Sequence, residues 1–343
     1  MSVLAHRSEA EVATDALGRP LRDLRISVTD RCNFRCPYCM PRSQFGPGHR
    51  FLARPEVLQV DEIMRLVDAM ISLGVTKVRL TGGEPLLRPN LDDIVEGVAA
   101  RGVADIALTT NGALLRRWAG RLRGAGLRRL TVSLDSLDPN VFAAMSDTGV
   151  ELATVVDGIA AAAEAGLAPV KLNCVVRRGI NDSGILQLVE FARRGGHIVR
   201  FIEFMDVGSS NRWRAEDVVP GEEILATMSR VHPVVELARE AGAVARSYRF
   251  ADGGGEVGVI MSVTRPFCGD CTRVRLGVDG RLFTCLFATD GIDLRGPLRA
   301  GADHDELCRL VAACWQHRDD RYSELRELGP GVGQRVEMSY IGG

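Results

Sequence analysis

Between Leu24 and about Phe204, six short β-branched or apolar segments alternate with five amphipathic ones, and this alternation limits the fold more than any other feature. The strand-like segments are 24–28 (LRISV), 77–81 (KVRLT), 105–110 (DIALTT), 129–134 (RLTVSL), 170–176 (VKLNCVV) and 198–204 (IVRFIEF). Helical patterns fall at about 61–73, 91–101, 113–124, 151–165 and 184–194, often closed by glycine, as in LGV, RGV and AGL. Strands that alternate with helices in this way predict a parallel sheet with right-handed crossovers.

A parallel strand covered by helices on both faces reads as a continuous apolar run. These strands alternate instead. Val78 and Leu80 are interleaved with Lys77, Arg79 and Thr81, and Leu130, Val132 and Leu134 with Thr131, Ser133 and Asp135. Leu24, Ile26 and Val28 oppose Arg25 and Ser27; Ile106 and Leu108 oppose Thr109 and Asn111; Val170 and Leu172 oppose Lys171 and Asn173. The apolar parity packs beneath the helices, so the polar parity faces a wet or charged interior. That predicts an α/β fold built as an incomplete (βα)6 parallel barrel around a polar ligand. An open sheet with one solvated face is the alternative, although five helical crossovers leave little room for it. The last strand is ambiguous, because Arg200 and the pair Glu203, Met205 fall on opposite parities.

After about Pro220 the pattern changes to a short helix, strands near 246–250, 256–263, 272–278 and 281–286, and a helix near 303–317. Two domains are expected, a partial barrel over 1–220 and a smaller α+β extension over 221–343. The glycine run DGGGE at 252–256 reads as a turn, with no phosphate-loop context around it.

A chain of 343 residues with 46% hydrophobic content can bury a large core, and a formal net charge of −1 argues against a chain-wide attraction to nucleic acid. No apolar run of about 18 residues suggests a membrane span, and the N-terminus lacks a basic start followed by an apolar stretch. A cytoplasmic enzyme is expected. The positive charge is almost entirely arginine, with lysine only at Lys77 and Lys171, which gives those two positions a specific interest.

Six of the nine cysteines fall into two tight groups, 32, 36, 39 and 268, 271, 285. In a long chain without an export signal such spacing favours metal chemistry over a disulfide framework. Cys174, Cys308 and Cys314 lie outside the groups and read as buried structural thiols. The first group follows the first strand at its C-terminal end, where parallel barrels place their chemistry. Three thiolates suit three irons of a cubane, with the fourth iron open to a small ligand, whereas an electron-transfer cluster normally has all four thiolates. A structural zinc completed by His49 is the alternative. The second group also offers three thiolates, and structural zinc completed by another residue is again the alternative. The alternation in TRVR at 272–275 puts Arg273 and Arg275 on one strand face, and two guanidiniums beside an open cluster suggest an anionic substrate.

The triad Cys32-x3-Cys36-x2-Cys39, with Tyr38 before its last cysteine, and TGGEPLL at 81–87 resemble the radical S-adenosylmethionine superfamily. Over nearly the whole chain the sequence resembles the GTP 3′,8-cyclase family of molybdenum-cofactor biosynthesis. The matching stretches include GRPLRDLRISVTDRCNFRCPYCMP at 18–41, KVRLTGGEPLLR at 77–88, RFIEFMDVG at 200–208, FCGDCTRVRL at 267–276 and the ending YIGG at 340–343.

The resemblance implies two 4Fe-4S clusters and S-adenosylmethionine as cofactors. Cys32, Cys36 and Cys39 would hold the cluster that cleaves S-adenosylmethionine; Cys268, Cys271 and Cys285 would hold the one whose open iron binds the guanine of GTP. Tyr38, Gly83, Glu84, Ser133 and Met205 would contact S-adenosylmethionine. Arg25, Lys77, Arg79, Thr109, Lys171, Arg200, Arg273, Val274 and Arg275 would contact GTP. Arg273, Arg275 and the tail Gly342 and Gly343 would take part in catalysis. The implied partners are an electron donor such as flavodoxin or ferredoxin and the next pathway enzyme, cyclic pyranopterin monophosphate synthase, as product acceptor, with a homodimer left open. A peptide-modifying radical enzyme and a non-catalytic zinc or electron-transfer module are the competing readings.

Overall fold

The computed structural model describes residues 12–326 and 334–342. The six expected strands form at β1 (Asp23–Ser27), β2 (Lys77–Thr81), β3 (Asp105–Thr110), β4 (Arg129–Ser133), β5 (Lys171–Val176) and β6 (Ile198–Glu203), each parallel to its neighbour. The helices between them are α1 (Val60–Ser72), α2 (Leu91–Ala100), α3 (Leu115–Gly124), α4 (Pro139–Ser146), α5 (Leu152–Ala162) and α6 (Ile185–Arg194). Their starts follow ordinary capping chemistry. Glu62 accepts from the Gln59 backbone N–H at 2.7 Å at the head of α1, and Asp138 accepts from the N–H groups of Asn140 and Val141 at the head of α4. α4 is unexpected, although Asp138 followed by Pro139 is itself a helix-start signal.

The later segments form α7 (Gly221–Ser229), β7 (Val234–Glu236), β8 (Arg246–Phe250), β9 (Glu256–Ile260), β10 (Arg273–Leu276), β11 (Arg281–Phe283) and β12 (Ile292–Asp293). They are followed by α8 (Arg295–Arg299), α9 (His304–Gln316), α10 (Tyr322–Leu325) and α11 (Met338–Ile341). Their strands make no sheet of their own. β9 pairs parallel with β6 at one edge and β10 pairs parallel with β1 at the other, giving one sheet in the order β12-β11-β10-β1-β2-β3-β4-β5-β6-β9-β8-β7. The end strands β12 and β7 do not meet, so the barrel stays incomplete. The residues 251–255 that contain the glycine run are the turn between β8 and β9.

Parity sorts the two faces as expected. Ile26, Val78, Leu80, Ile106, Leu108, Leu130, Val132, Leu172 and Phe201 are buried in the core under the helices. Arg25, Lys77, Arg79, Thr109, Ser133, Lys171 and Arg200 line one internal cavity of about 480 Å³. β6 resolves its own ambiguity. Arg200 points inward, while Glu203 is wholly buried on the other side and accepts from the backbone N–H of Gly221, Val263 and Thr264 and from the Thr264 hydroxyl. The strand ends there, and the turn returns Met205 to the cavity. Cys174 is buried, whereas Cys308 and Cys314 are only partly so.

Candidate active site

Cys32, Cys36 and Cys39 are free thiols in the loop after β1, and all three line the cavity. The turn closes through N–H groups of Cys39 and Met40 on the Cys36 carbonyl, both at 2.9 Å. Burial and the neighbouring Glu84 carboxylate push the Cys32 thiol up to about 11; burial and Cys39 push Cys36 well above its usual range. Such thiols become thiolates only beside a cation, which is the chemistry of an iron–sulfur donor set. His49 instead packs between the rings of Phe45 and Phe51, with centroids at 4.7 and 4.6 Å. Among the described residues no three or more His, Cys, Asp and Glu side chains close on a single metal ion.

The loop after β2 docks onto this one through backbone hydrogen bonds and through Arg88, whose guanidinium donates to the Val28 carbonyl at 2.9 Å. The Gly83 N–H donates to the Thr29 carbonyl and the Glu84 N–H to the Arg31 carbonyl, both at 2.7 Å. A Cβ on Gly82 would stand 2.4 Å from the Thr29 carbonyl oxygen, and one on Gly83 2.3 Å from that of Arg31. Both glycines are therefore required for the contact. Glu84 lines the cavity but is largely committed to the protein. It accepts from the Leu86 N–H at 2.9 Å and from the Thr110 hydroxyl and Asn111 N–H, each at 2.7 Å. Burial outweighs these bonds and lifts its carboxyl to about 7.

Cys268, Cys271 and Cys285 line the same cavity, brought there by the short turn before β10 and the end of β11. Burial would raise the Cys271 thiol, but Arg273 and Arg318 override it and draw it down to about 6. The Arg273 guanidinium donates to the Cys271 sulfur at 3.0 and 3.3 Å and lies over the Phe267 ring. The second set is not uniform, because arginines draw Cys271 down whereas burial and Asp320 push Cys285 up to about 11, as burial does Cys32.

Between them lies a floor of cations. Register places Arg25 beside Arg79 on one side and Arg275 on the other. At the strand spacing of about 5 Å, and an effective dielectric of about 20, two such charges repel by roughly 3 kcal/mol. Burial, then Arg79 and Arg273, pull Arg25 down to about 9; burial, then Arg200 and Arg129, pull Arg79 to about 9 and Lys171 to about 8. Arg275 falls well below its usual range for the same reasons, with Arg25 and Arg273 as its repelling neighbours. Lys77 has Asp23 at 3.2 Å and Arg129 has Asp105 at 2.5 Å. Arg25, Arg79, Lys171, Arg200, Arg273 and Arg275 pair with no carboxylate among the described residues. Half-buried cations in such a row, with Arg275 fully buried, call for an anion from outside the protein.

The end of the chain enters this space. The Gly342 carbonyl accepts from Arg275, and Gly342 adopts φ +73 beside Thr81. Gly343 lies outside the described residues. Tyr38, Ser133 and Met205 all line the cavity, with the Tyr38 hydroxyl donating to Asp135 at 2.6 Å. Val274 is placed differently from its neighbours, with only its backbone on the cavity side of the strand. Strand alternation turns it away from Arg273 and Arg275 into the core, where it is 1% exposed, so its side chain does not reach the cavity.

The Radical SAM superfamily matches residues 26–192 and the Molybdenum Cofactor Synthesis C family matches 197–324. The GTP 3′,8-cyclase of Acidothermus cellulolyticus is 53% identical, over 96% of this chain and 98% of that one. The chain belongs to the GTP 3′,8-cyclase family. The family's member from Xanthomonas axonopodis pv. citri is 50% identical over 96% of this chain and 98% of its own, and that of Staphylococcus aureus strain Newman 44% over 97% and 99%. The crystal structure of Streptococcus suis SuiB bound to S-adenosylmethionine shares the fold, with a TM-score of 0.60 at 13% identity, covering 91% of this chain and 69% of that one. Membership of the cyclase family sets aside the peptide-modifying and zinc-module readings.

The cyclase-family cavity also contains residues that the sequence expectations omit. Arg129, Asp135 and Asn173 line it, and the inward parity of Ser133 and Lys171 already included them. Asn111 lines it too, bridging β3 to the cysteine loop by donating to Asn33 at 2.7 Å. Arg318 and Asp320 reach it from beyond α9 with no local signal.

Proposed function

We propose that this chain is the radical S-adenosylmethionine lyase that converts GTP to (8S)-3′,8-cyclo-7,8-dihydroguanosine 5′-triphosphate, the first step of molybdenum-cofactor biosynthesis. One observation carries the reading: two three-thiol sets border a single cavity floored by cations that lack carboxylate partners. Cys32, Cys36 and Cys39 would hold one 4Fe-4S cluster, and Cys268, Cys271 and Cys285 the other. When bound, these clusters and S-adenosylmethionine supply one-electron chemistry that generates a hydrogen-abstracting carbon radical.

The chain's own residues bind and orient. Tyr38, Gly83, Ser133 and Met205 border the space beside the first thiol set, and Glu84 keeps that space open by tying the loop after β2 to Thr110 and Asn111. Arg25, Lys77, Arg79, Lys171 and Arg200 answer the roughly four negative charges of a nucleoside triphosphate. Thr109 holds Arg79 in place by accepting at 3.0 Å. Arg273 and Arg275 stand at the second thiol set, where they fix the guanosine end so that C3′ of the ribose faces C8 of its own base. Gly342, held by Arg275, brings backbone into a gap that no side chain would fit.

We read residues 1–220 as the barrel unit and 221–343 as the unit bearing the second cluster. A low-potential donor such as flavodoxin or ferredoxin supplies the electron, and cyclic pyranopterin monophosphate synthase takes the product. The setting is cytoplasmic, in keeping with the absence of a described helix long and apolar enough to cross a membrane. Anaerobic incubation with GTP, S-adenosylmethionine and a reductant, followed by mass analysis, tests the reading. The expected result is a cyclised nucleotide together with 5′-deoxyadenosine; 5′-deoxyadenosine with GTP left intact sinks it.

A further inference from the structure

Asp15 and its near neighbour Arg19 meet Arg318, 303 positions beyond Asp15, in the interior, with side-chain exposures of 0%, 2% and 1%. Asp15 accepts from Arg19 Nε at 2.6 Å and from Arg318 Nη1 at 3.1 Å, and its other oxygen accepts from the N–H groups of Leu17 and Arg19. Each guanidinium then reaches a cysteine. Arg19 Nη1 donates to the carbonyls of Cys268 and Asp320, both at 2.8 Å, and Arg318 Nη1 donates to the carbonyl of Cys271 at 2.7 Å. Trp315 closes the assembly by lying under Arg318 and donating its indole N–H to the Arg19 carbonyl.

Burying charged groups costs several kcal/mol each, so a stabilising role alone is a poor account of this assembly. Two guanidiniums share the Asp15 carboxylate, Arg318 Nε also stands 3.4 Å from an Asp320 carboxylate oxygen, and Arg19 Nη2 is buried without a protein acceptor. With Asp15 and Asp320 both counted, the charges balance, so what the group presents to the cysteines is its hydrogen bonds to their carbonyls, which orient the thiols that would ligate a cluster. The loop of the first thiol set is fastened separately, by Arg35 donating to the carbonyls of Cys32, Phe34 and Phe45, each at 2.7 Å. The two fastenings share no residue.

We propose that Asp15, Arg19 and Arg318 are positioning residues for the second cluster: their fork of hydrogen bonds fixes the main chain at Cys268 and Cys271. The inference rests on the two-cluster reading above. It is tested on the full chain, reconstituted anaerobically, as the wild type and as Arg19→Gln and Arg19→Lys, by iron content, electron paramagnetic resonance and 5′-deoxyadenosine formation. Wild type should hold about eight irons in two clusters of four. Arg19→Gln should fall to about four, keep the resonance that responds to S-adenosylmethionine, and still form 5′-deoxyadenosine. Arg19→Lys keeps the charge but not the fork, and should retain second-cluster iron with an altered resonance.

An Arg19→Gln protein with about eight irons and an unchanged second-cluster signal overturns the inference. So does parallel loss of iron from both sites in both variants, which would make the network a support of the whole fold. If Arg19→Gln does not fold, Arg19→Lys decides by its second-cluster resonance, and a native signal there overturns the inference. A wild-type chain with only one cluster would instead remove the two-cluster reading.

Discussion

The guanidinium of Arg275 in β10 donates to the backbone carbonyl of Gly342, so the chain's last described residue is fastened inside the barrel. The preceding segment is clamped from outside. Glu337 accepts from the Ser209 N–H at 3.1 Å and the Ser210 hydroxyl at 2.8 Å, and Gly208 leaves room for its carboxylate. A Cβ at Gly342 would come within 2.3 Å of Thr81 Cγ2, in addition to the positive φ. Gly342→Ala should therefore displace the tail at a cost of about 1–3 kcal/mol and slow cyclisation about ten- to a hundredfold. Formation of 5′-deoxyadenosine without GTP should persist. Parallel assays of the two products on one preparation check this, and unchanged cyclisation would leave the tail without a role.

Lys171 gives the cyclase a pH signature. Burial, then Arg200, Arg129, Arg79 and Lys77, depress its ammonium to about 8 in the ligand-free protein. Below that pH the group is charged and attracts a triphosphate; above it the amine is neutral and the attraction is lost. GTP affinity should fall as pH rises through about 8, with proton uptake on binding in that range. Lys171→Arg should remove the step near pH 8 and leave only the fall toward pH 9 that Arg25 and Arg79 give. Calorimetry of GTP binding across that range, alongside S-adenosylmethionine binding as a control, provides the check.

Glu203 should matter for stability rather than for chemistry. It is wholly buried behind β6 and gathers three backbone N–H groups and a hydroxyl from the segments that start α7 and follow β9. Glu203→Ala would strand those donors, at a cost of roughly 3–5 kcal/mol. Thermal unfolding of the apo chain should show a large drop in Tm. A variant with native Tm would mean that water or backbone shifts replace the carboxylate.

Neighbouring residues of β10 should separate cleanly. Val274→Ala should lower stability by roughly 2 kcal/mol, from lost core contacts, and leave the KM for GTP unchanged. Arg273→Gln should do the reverse, raising KM while the fold holds. Equal effects of the two on KM would contradict the assignment of faces.

The central strands and their inward side chains were readable because alternation is a local property. Each of Arg25, Lys77, Arg79, Thr109, Ser133 and Lys171 sits where its parity predicts. Val274 shows what parity adds to a resemblance: with Arg273 and Arg275 facing inward its side chain must face the core, which leaves its main chain for a contact with GTP. What could not be read locally is pairing between distant segments. Asp15 meets Arg318 across 303 positions, and nothing near either residue announces the other. The destination of β9 and β10 was hidden for the same reason. Short strands reveal which face they bury, but not which edge they join.

That edge assignment has a consequence during synthesis. The strands that cover β6 and β1 are β9 and β10, at Glu256–Ile260 and Arg273–Leu276, both made after the barrel strands are complete. A nascent chain that has emerged as far as β6 therefore exposes two unpaired edges at once, each a template for another chain. The ribosome must carry it through that interval before its own later residues can close both sides.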